Sequence, residues 1–201
     1  AFRTDSDTEV IVQAFAMWGE EMIEKLDGMF ALAIFDQLNQ RLTLCRDRMG
    51  KKPLFYYQSQ DCFVFASEIK SLLKHPRIEQ EKKINVKAIH TFLHLGYVPE
   101  PDSIYFHIRK FPAGEIGVLE QGKSLLLTPY WKVQEVVASP SIRDFKSSKK
   151  KLESLLQESI GKRLIGDVPI GVFLSGGVDS SLVSALAVKQ VDSRLKTFCI
   201  G

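Results

Sequence analysis

An antiparallel α+β layer followed by the opening units of a doubly wound α/β sheet is the fold class predicted by this 201-residue sequence. Three observations carry it. Apolar residues at helical spacing open the chain between Ser6 and Trp18, and short β-prone runs separated by polar turns fill Met29 to Ala66. Val168 to Ser184, V-P-I-G-V-F-L-S-G-G-V-D-S-S-L-V-S, reads as a buried strand, a glycine turn and a helix start.

The elements follow in order. Ser6-x-x-Glu9 has capping-box spacing, and Val10, Ile11, Ala14, Phe15 and Trp18 form one apolar stripe, so a helix begins beside Asp7. Gly19 interrupts it, a short amphipathic piece with Met22, Ile23 and Leu26 follows, and Asp27-Gly28 makes a turn. Met29 to Phe35, Arg41 to Cys45, Pro53 to Tyr57 and Cys62 to Ala66 then read as four strands of one antiparallel meander. Glu68 to Leu73 suits a short helix and Pro76 to Lys83 a charged loop. Asn85 is a good N-cap for Val86, Ile89, Phe92 and Leu93, a helix ended by Gly96, Pro99 and Pro101.

After a turn-rich passage from Glu100 to Ala113, Ile116 to Leu119 and Ser124 to Leu127 predict a hairpin with Gly122 in its turn. Trp131 closes this part, and 132–146, with Ser139-Pro140-Ser141, reads as a linker. Leu152, Leu155, Leu156, Ile160 and Leu164 mark a further helix, stopped by Gly166, with Lys149-Lys150-Lys151 on its solvated face. Buried strand, loop, helix and a strand from Leu195 to Ile200 then begin a parallel sheet, whose ligand site lies beyond a strand's carboxyl end.

Composition excludes several classes. The balance of 27 basic against 24 acidic residues, a net charge of +3, implies no nucleic-acid partner. No apolar run approaches the ~18 residues of a membrane span, and the first residues have no secretory pattern. Three cysteines, Cys45, Cys62 and Cys199, lack metal-ligand spacing and suit unpaired thiols in a reducing cytoplasm. His90, His94 and His107 have no zinc spacing with a third ligand. The absence of an initiator methionine, and an end at Gly201 within a strand pattern, lead us to expect a piece of a longer protein.

The stretch Ser175 to Ser181 concentrates the chemistry. A strand, a glycine turn and a helix N-terminus aim free N–H groups and the positive end of the helix dipole at one place, which suits an anion. The lysine of the common phosphate loop and the third glycine of the dinucleotide fingerprint are both missing. Asp179 stands there instead, beside two hydroxyls, able to hold a Mg²⁺ ion that bridges phosphate oxygens. S-G-G-V-D-S resembles the PP-loop of the ATP pyrophosphatases, which split ATP between its α- and β-phosphates. Together with S-D-T-E-V-I (6–11), L-D-G-M-F-A-L-A-I-F-D (26–36), R-D-R-M-G-K-K-P-L-F-Y-Y (46–57) and F-A-S-E-I-K (65–70), it makes nearly the whole chain similar to the glutamine-hydrolysing asparagine synthetases.

That resemblance implies the later part of an N-terminal-nucleophile αββα glutaminase domain over 1–131, the linker 132–146, and the start of a doubly wound PP-loop domain over 147–201. It implies a ligase that uses ATP and Mg²⁺ to turn aspartate into β-aspartyl-AMP, which glutamine-derived ammonia attacks. Glutamine, aspartate and ATP are the small-molecule partners it implies, and it leaves room for a homodimer. Carried over residue by residue, Asp7 would bind glutamine. Leu174, Ser175, Gly176, Gly177, Asp179, Ser180 and Ile200 would bind ATP, with Asp179 on the metal. The charged run Arg46-Asp47-Arg48 could be read as a catalytic cluster, but a structural salt-bridge role near the meander is expected. No catalytic residue is carried over, because the family's nucleophile is a cysteine at the mature N-terminus and position 1 here is Ala1; this piece alone is expected to be inactive. Two readings stay open beside the first: an amidotransferase acting on another carboxylate, and a non-catalytic nucleotide-binding remnant.

Overall fold

A computed structural model describes residues 2–137, 144–166, 168–192 and 194–199 of the protein. The chain divides into two compact units, Ala1–Ala138 and Ser139–Gly201.

The first unit opens with α1, Asp7–Trp18, whose N-cap Ser6 is extended and accepts the Thr8 N–H through Oγ at 3.2 Å. The expected capping box closes only half. The Glu9 carboxylate does not reach the Ser6 N–H, because Arg3 and Thr4 present two amides and a hydroxyl closer to it. Gly19 ends α1 at φ 57°, a 3₁₀ turn spans Gly19–Glu21, and α2, Met22–Lys25, buries Met22 and Ile23.

Two antiparallel sheets follow where a single meander was expected. β1 (Ala31–Asp36), β2 (Arg41–Arg46), β6 (Glu115–Glu120) and β7 (Leu126–Pro129) form one sheet in the order β1-β2-β6-β7. β3 (Phe55–Gln58), β4 (Phe63–Ala66) and β5 (Ile108–Lys110) form the other, in the order β4-β3-β5. The cause is competition for an edge. The second edge of β2 is taken by β6 from Arg41↔Glu120 to Cys45↔Ile116, so β3 must start elsewhere and pairs instead with β4 and β5.

Strand alternation then sets the layers. Leu44 of β2 and Tyr56 of β3 meet with Leu54 and Phe111 between the sheets. Cys45, one residue on, points the other way into a cluster with Met22, Ile23 and Ile116, against which Ile11, Ala14 and Phe15 of α1 pack. Tyr57 likewise turns outward to Leu72 and Ile78, from α3 (Ile69–Leu72) and α4 (Pro76–Glu81). Helices, sheet, sheet, helices is the resulting order of this unit, the expected αββα arrangement.

The α4 segment corrects the charged-loop reading of 76–83: Pro76 stands at the helix start, where its fixed φ is favourable, and Ile78 is buried. β5 was hidden in the turn-rich passage, since three residues show no period. α5, Val86–Leu95, begins as expected at Asn85, whose Oδ1 accepts the Ala88 N–H at 3.3 Å, and ends at Gly96 in the left-handed region. The β6-β7 hairpin turns through Gly122 at φ 74°.

Between the sheets one glycine is required by space. A Cβ on Gly117 would lie 2.8 and 2.9 Å from the Phe111 ring. Gly117→Ala should therefore destabilise the first unit by about 1–3 kcal/mol, read as a lowered denaturation midpoint at unchanged slope. A midpoint equal to wild type would show that Phe111 has room to move.

The part expected as a linker carries α6, Val133–Val137, while 138–143 lie outside the described residues. In the second unit α7, Phe145–Arg163, is capped by Asp144, which accepts the Ser147 N–H at 2.7 Å. It ends at Leu164, ahead of the expected stop at Gly166. Ile160 of α7, with Leu156 and Leu164 beside it, packs on Leu186 and Ala187 of α8, Val178–Val188. β8 (Gly171–Phe173) and β9 (Lys196–Phe198) pair in parallel on either side of α8 in sequence, a βαβ unit.

β8 departs from the doubly buried strand expected over 168–174. It has three residues, and Val168 and Phe173 are 71% and 72% exposed. Among the described residues β8 pairs with β9, and Val172 packs against the α7 and α8 cluster.

Candidate functional site

The turn from β8 into α8 is built by three local facts. Leu174 donates its N–H to the Phe198 carbonyl at 2.8 Å, which ends the strand pairing at a fixed place. Gly176 then adopts φ 83°, open to glycine and strained for a side chain. Gly177 is the N-cap of α8 and makes no side-chain cap bond. The helix starts at Val178, so Asp179 and Ser180 lie in its first turn rather than at its N-cap.

Without a capping side chain, the first-turn N–H groups and the dipole face outward together. Ser175 and Ser180 hold their hydroxyls 3.1 Å apart, and Ser180 Oγ also donates to the Gly177 carbonyl at 3.1 Å. Ser184 Oγ donates to the Ser180 carbonyl at 2.7 Å, anchoring that residue to the next turn. A Cβ at Gly177 would lie 3.8 Å from Ser175 Oγ and 3.9 Å from Ser180 Oγ, at ordinary contact distance. Asp179 is exposed on the first turn. The structure thus brings Leu174 to Ser180 together, while Ile200 lies outside the described residues.

Asp7 belongs to the other unit. It is the first residue of α1, exposed, and its Oδ1 accepts a bond from the Thr8 hydroxyl at 3.4 Å. Thr8 is among the residues lining an apolar groove of about 620 Å³, with Ile11, Val12, Phe15 and Ala16 of α1 and the residues of β1.

Arg46, Asp47 and Arg48 form no charge relay; each ties down backbone. Arg46, 7% exposed, donates to the carbonyls of Gly50 (2.7 Å), Lys52 (2.7 Å) and Phe111 (2.6 Å) and pairs with Glu100. Asp47, 2% exposed, accepts the N–H groups of Phe30, Met49, Lys51 and Lys52 at 3.0–3.2 Å. Burial alone would push its carboxyl up, but these donors together hold it below the usual carboxylate range. Arg48 donates to Leu26 and Glu24 carbonyls and lies over the Tyr130 ring. The run is structural, as expected, but less through salt bridges than through backbone: among the described residues only Arg46 of the three makes an ion pair, with Glu100, and Asp47 is a backbone hub that the R-D-R pattern did not reveal.

Cys45 is a core thiol, pushed up to about 12 chiefly by burial. Among the described residues no group of three or more His, Cys, Asp or Glu could hold a metal ion. No helix among them is long and apolar enough to cross a membrane.

Comparison with known proteins gives two family matches. Residues 1–131 match the glutamine amidotransferase domain family, and residues 151–201 match the asparagine synthase family. Asparagine synthetase (glutamine-hydrolysing) 3 of Bacillus subtilis is 33% identical, covering 99% of this chain and 32% of that protein. Asparagine synthetase (glutamine-hydrolysing) 2 of Arabidopsis thaliana is 34% identical, covering 100% of this chain and 30% of that protein. The chain spans about a third of the length of the curated relatives it matches.

Proposed function

The chain belongs, over residues 1–131, to the glutamine amidotransferase domain family, and on that premise we propose that it is part of an ATP-dependent ligase making asparagine from aspartate and glutamine-derived ammonia. The reaction passes through β-aspartyl-AMP and releases AMP and pyrophosphate. Over 1–131 lies the glutaminase part, over 132–146 a link, and over 147–201 the start of the ATP-binding part. Chemistry explains the design. A carboxylate is a poor acceptor for ammonia, adenylation supplies a leaving group, and enclosure keeps ammonia from being protonated and lost.

The observation that carries the reading is the Ser175–Ser180 turn. It fits a pyrophosphate group in having uncapped first-turn N–H groups, two hydroxyls 3.1 Å apart and no side chain on Gly176 or Gly177 beside them. It fits Mg²⁺ in offering one carboxylate, Asp179, since this ion usually takes one or two carboxylates with phosphate oxygens and water. Bound there, the ion would neutralise phosphate charge. Leu174, where the strand pairing ends, and Ile200 would border the adenosine. Asp7 would take the α-ammonium of glutamine.

The two-site reading is tested in the full-length protein with Asp7→Ala. Glutamine-driven synthesis should need about tenfold more glutamine, ~1.4 kcal/mol, while ammonia-driven synthesis at matched folded concentration is unchanged. If the ratio of the two activities equals that of wild type, Asp7 has no part in glutamine binding. The reading against an amidotransferase for another carboxylate is checked by the acceptor: aspartate, and not other dicarboxylates, should trigger pyrophosphate release.

A further inference from the structure

We propose that Glu9 is a positioning residue for glutamine capture, holding Asp7 in place through Thr4; this rests on the reading of Asp7 given above. The bonds ahead of α1 form a closed ring. Glu9 accepts the Arg3 N–H at 3.0 and 3.1 Å, the Thr4 N–H at 2.7 Å and the Thr4 hydroxyl at 2.6 Å. Thr4 Oγ1 accepts the Ser6 N–H at 3.4 Å, the bond that Glu9 itself would take in an ordinary capping box. Ser6 closes the ring, its Oγ accepting from Thr8 N–H at 3.2 Å and its carbonyl from Glu9 N–H at 3.2 Å.

Asp7 sits inside this ring without being used by it. Among the described residues its one side-chain bond is the 3.4 Å contact from Thr8 Oγ1, which leaves the carboxylate available to a cation. The ring has a use there. A carboxylate at the exposed start of a helix would otherwise move with a fraying first turn, and a ligand would have to order it on binding. Tying residues 3–6 onto Glu9 supplies that order in advance. Glu9 does not reach the ligand; it acts by orienting the backbone that carries Asp7.

The test uses the full-length protein and measures glutamine KM and kcat for glutamine hydrolysis, ammonia-driven synthesis, and Tm. Glu9→Gln should raise the glutamine KM about fivefold with kcat within about twofold and ammonia-driven synthesis unchanged. Thr4→Val should do the same, and Thr4→Ser, which restores the hydroxyl, should return KM to near wild type. Asp7→Ala is measured alongside. If Asp7→Ala raises KM while Glu9→Gln and Thr4→Val leave it at the wild-type value, the positioning role is wrong and the reading of Asp7 stands. If Asp7→Ala leaves KM unchanged, the reading of Asp7 fails and takes this inference with it. A matched fall in both activities with a lowered Tm would make Glu9 merely a helix anchor, which also overturns the proposal.

Discussion

Asp179→Ala in the full-length protein is expected to abolish aspartate-dependent pyrophosphate release with either ammonia or glutamine as nitrogen donor. Asp179 is the carboxylate on the first turn of α8, the turn that also carries the Ser180 hydroxyl bonded to Ser175. Those hydroxyls and the helix amides can bind phosphate, but they carry no full charge to set against a metal. Without the carboxylate, the phosphate charge that builds at bond cleavage loses its compensation. Asp179→Asn is the cleaner variant, since it keeps the side-chain volume and changes only the charge. Glutamine hydrolysis, which the proposal assigns to the other unit, should survive in both. Pyrophosphate release within tenfold of wild type, about 1.4 kcal/mol of barrier, would refute the assignment of this loop.

Asp47→Ala should give the largest loss of stability. Four backbone N–H groups, from Phe30, Met49, Lys51 and Lys52, converge on this one buried carboxylate. Its backbone adds more: the Asp47 N–H donates to Phe30 and its carbonyl accepts from Gly50 and Gly114. Alanine keeps the backbone bonds and orphans the four donors, together about 3–5 kcal/mol by the usual cost of breaking a buried polar network. Against the 5–15 kcal/mol of a typical domain that is a large share. Denaturant unfolding of the full-length protein, followed on the first unit, reads it directly; a change under about 1 kcal/mol would mean that water replaces the side chain.

The same carboxylate gives a pH dependence with a definite sign. Its folded pKa is depressed, so the stability it contributes is present above the ordinary carboxylate range and is lost as pH falls through the lower folded value. Asp47→Asn should therefore flatten the acid limb of the stability curve, and an acid limb as steep as wild type would exclude Asp47 as a source of it.

Much of this was legible in the residues because local rules decided it. Ser6 and Asn85 cap the helices they were expected to cap, and Gly96 and Gly122 stand at positive φ where a stop and a turn were read. The Ser175–Ser180 turn is likewise local, since two glycines and an apolar run lie within a few bonds of one another. Short elements escaped. β5 has three residues and α4 six, too few for a period to show above the surrounding charge.

What the sequence by itself determined is the kind of each long element, the family of motifs, and which side chains gather at the turn before α8. Only the tertiary structure decided which strands share a sheet. β2 could have paired with β3 or with β6, and both partners are apolar enough; Leu44, Leu54, Tyr56 and Phe111 bury one another only when the two sheets face each other. The role of Asp47 was decided at the same level. Its first donor, Phe30, is 17 positions away, and a hydrogen bond between groups so far apart exists only after the chain has folded to bring them within 3.2 Å. Local conformation follows from neighbours along the chain, but edge pairing and buried polar satisfaction are settled by competition among partners that only folding assembles.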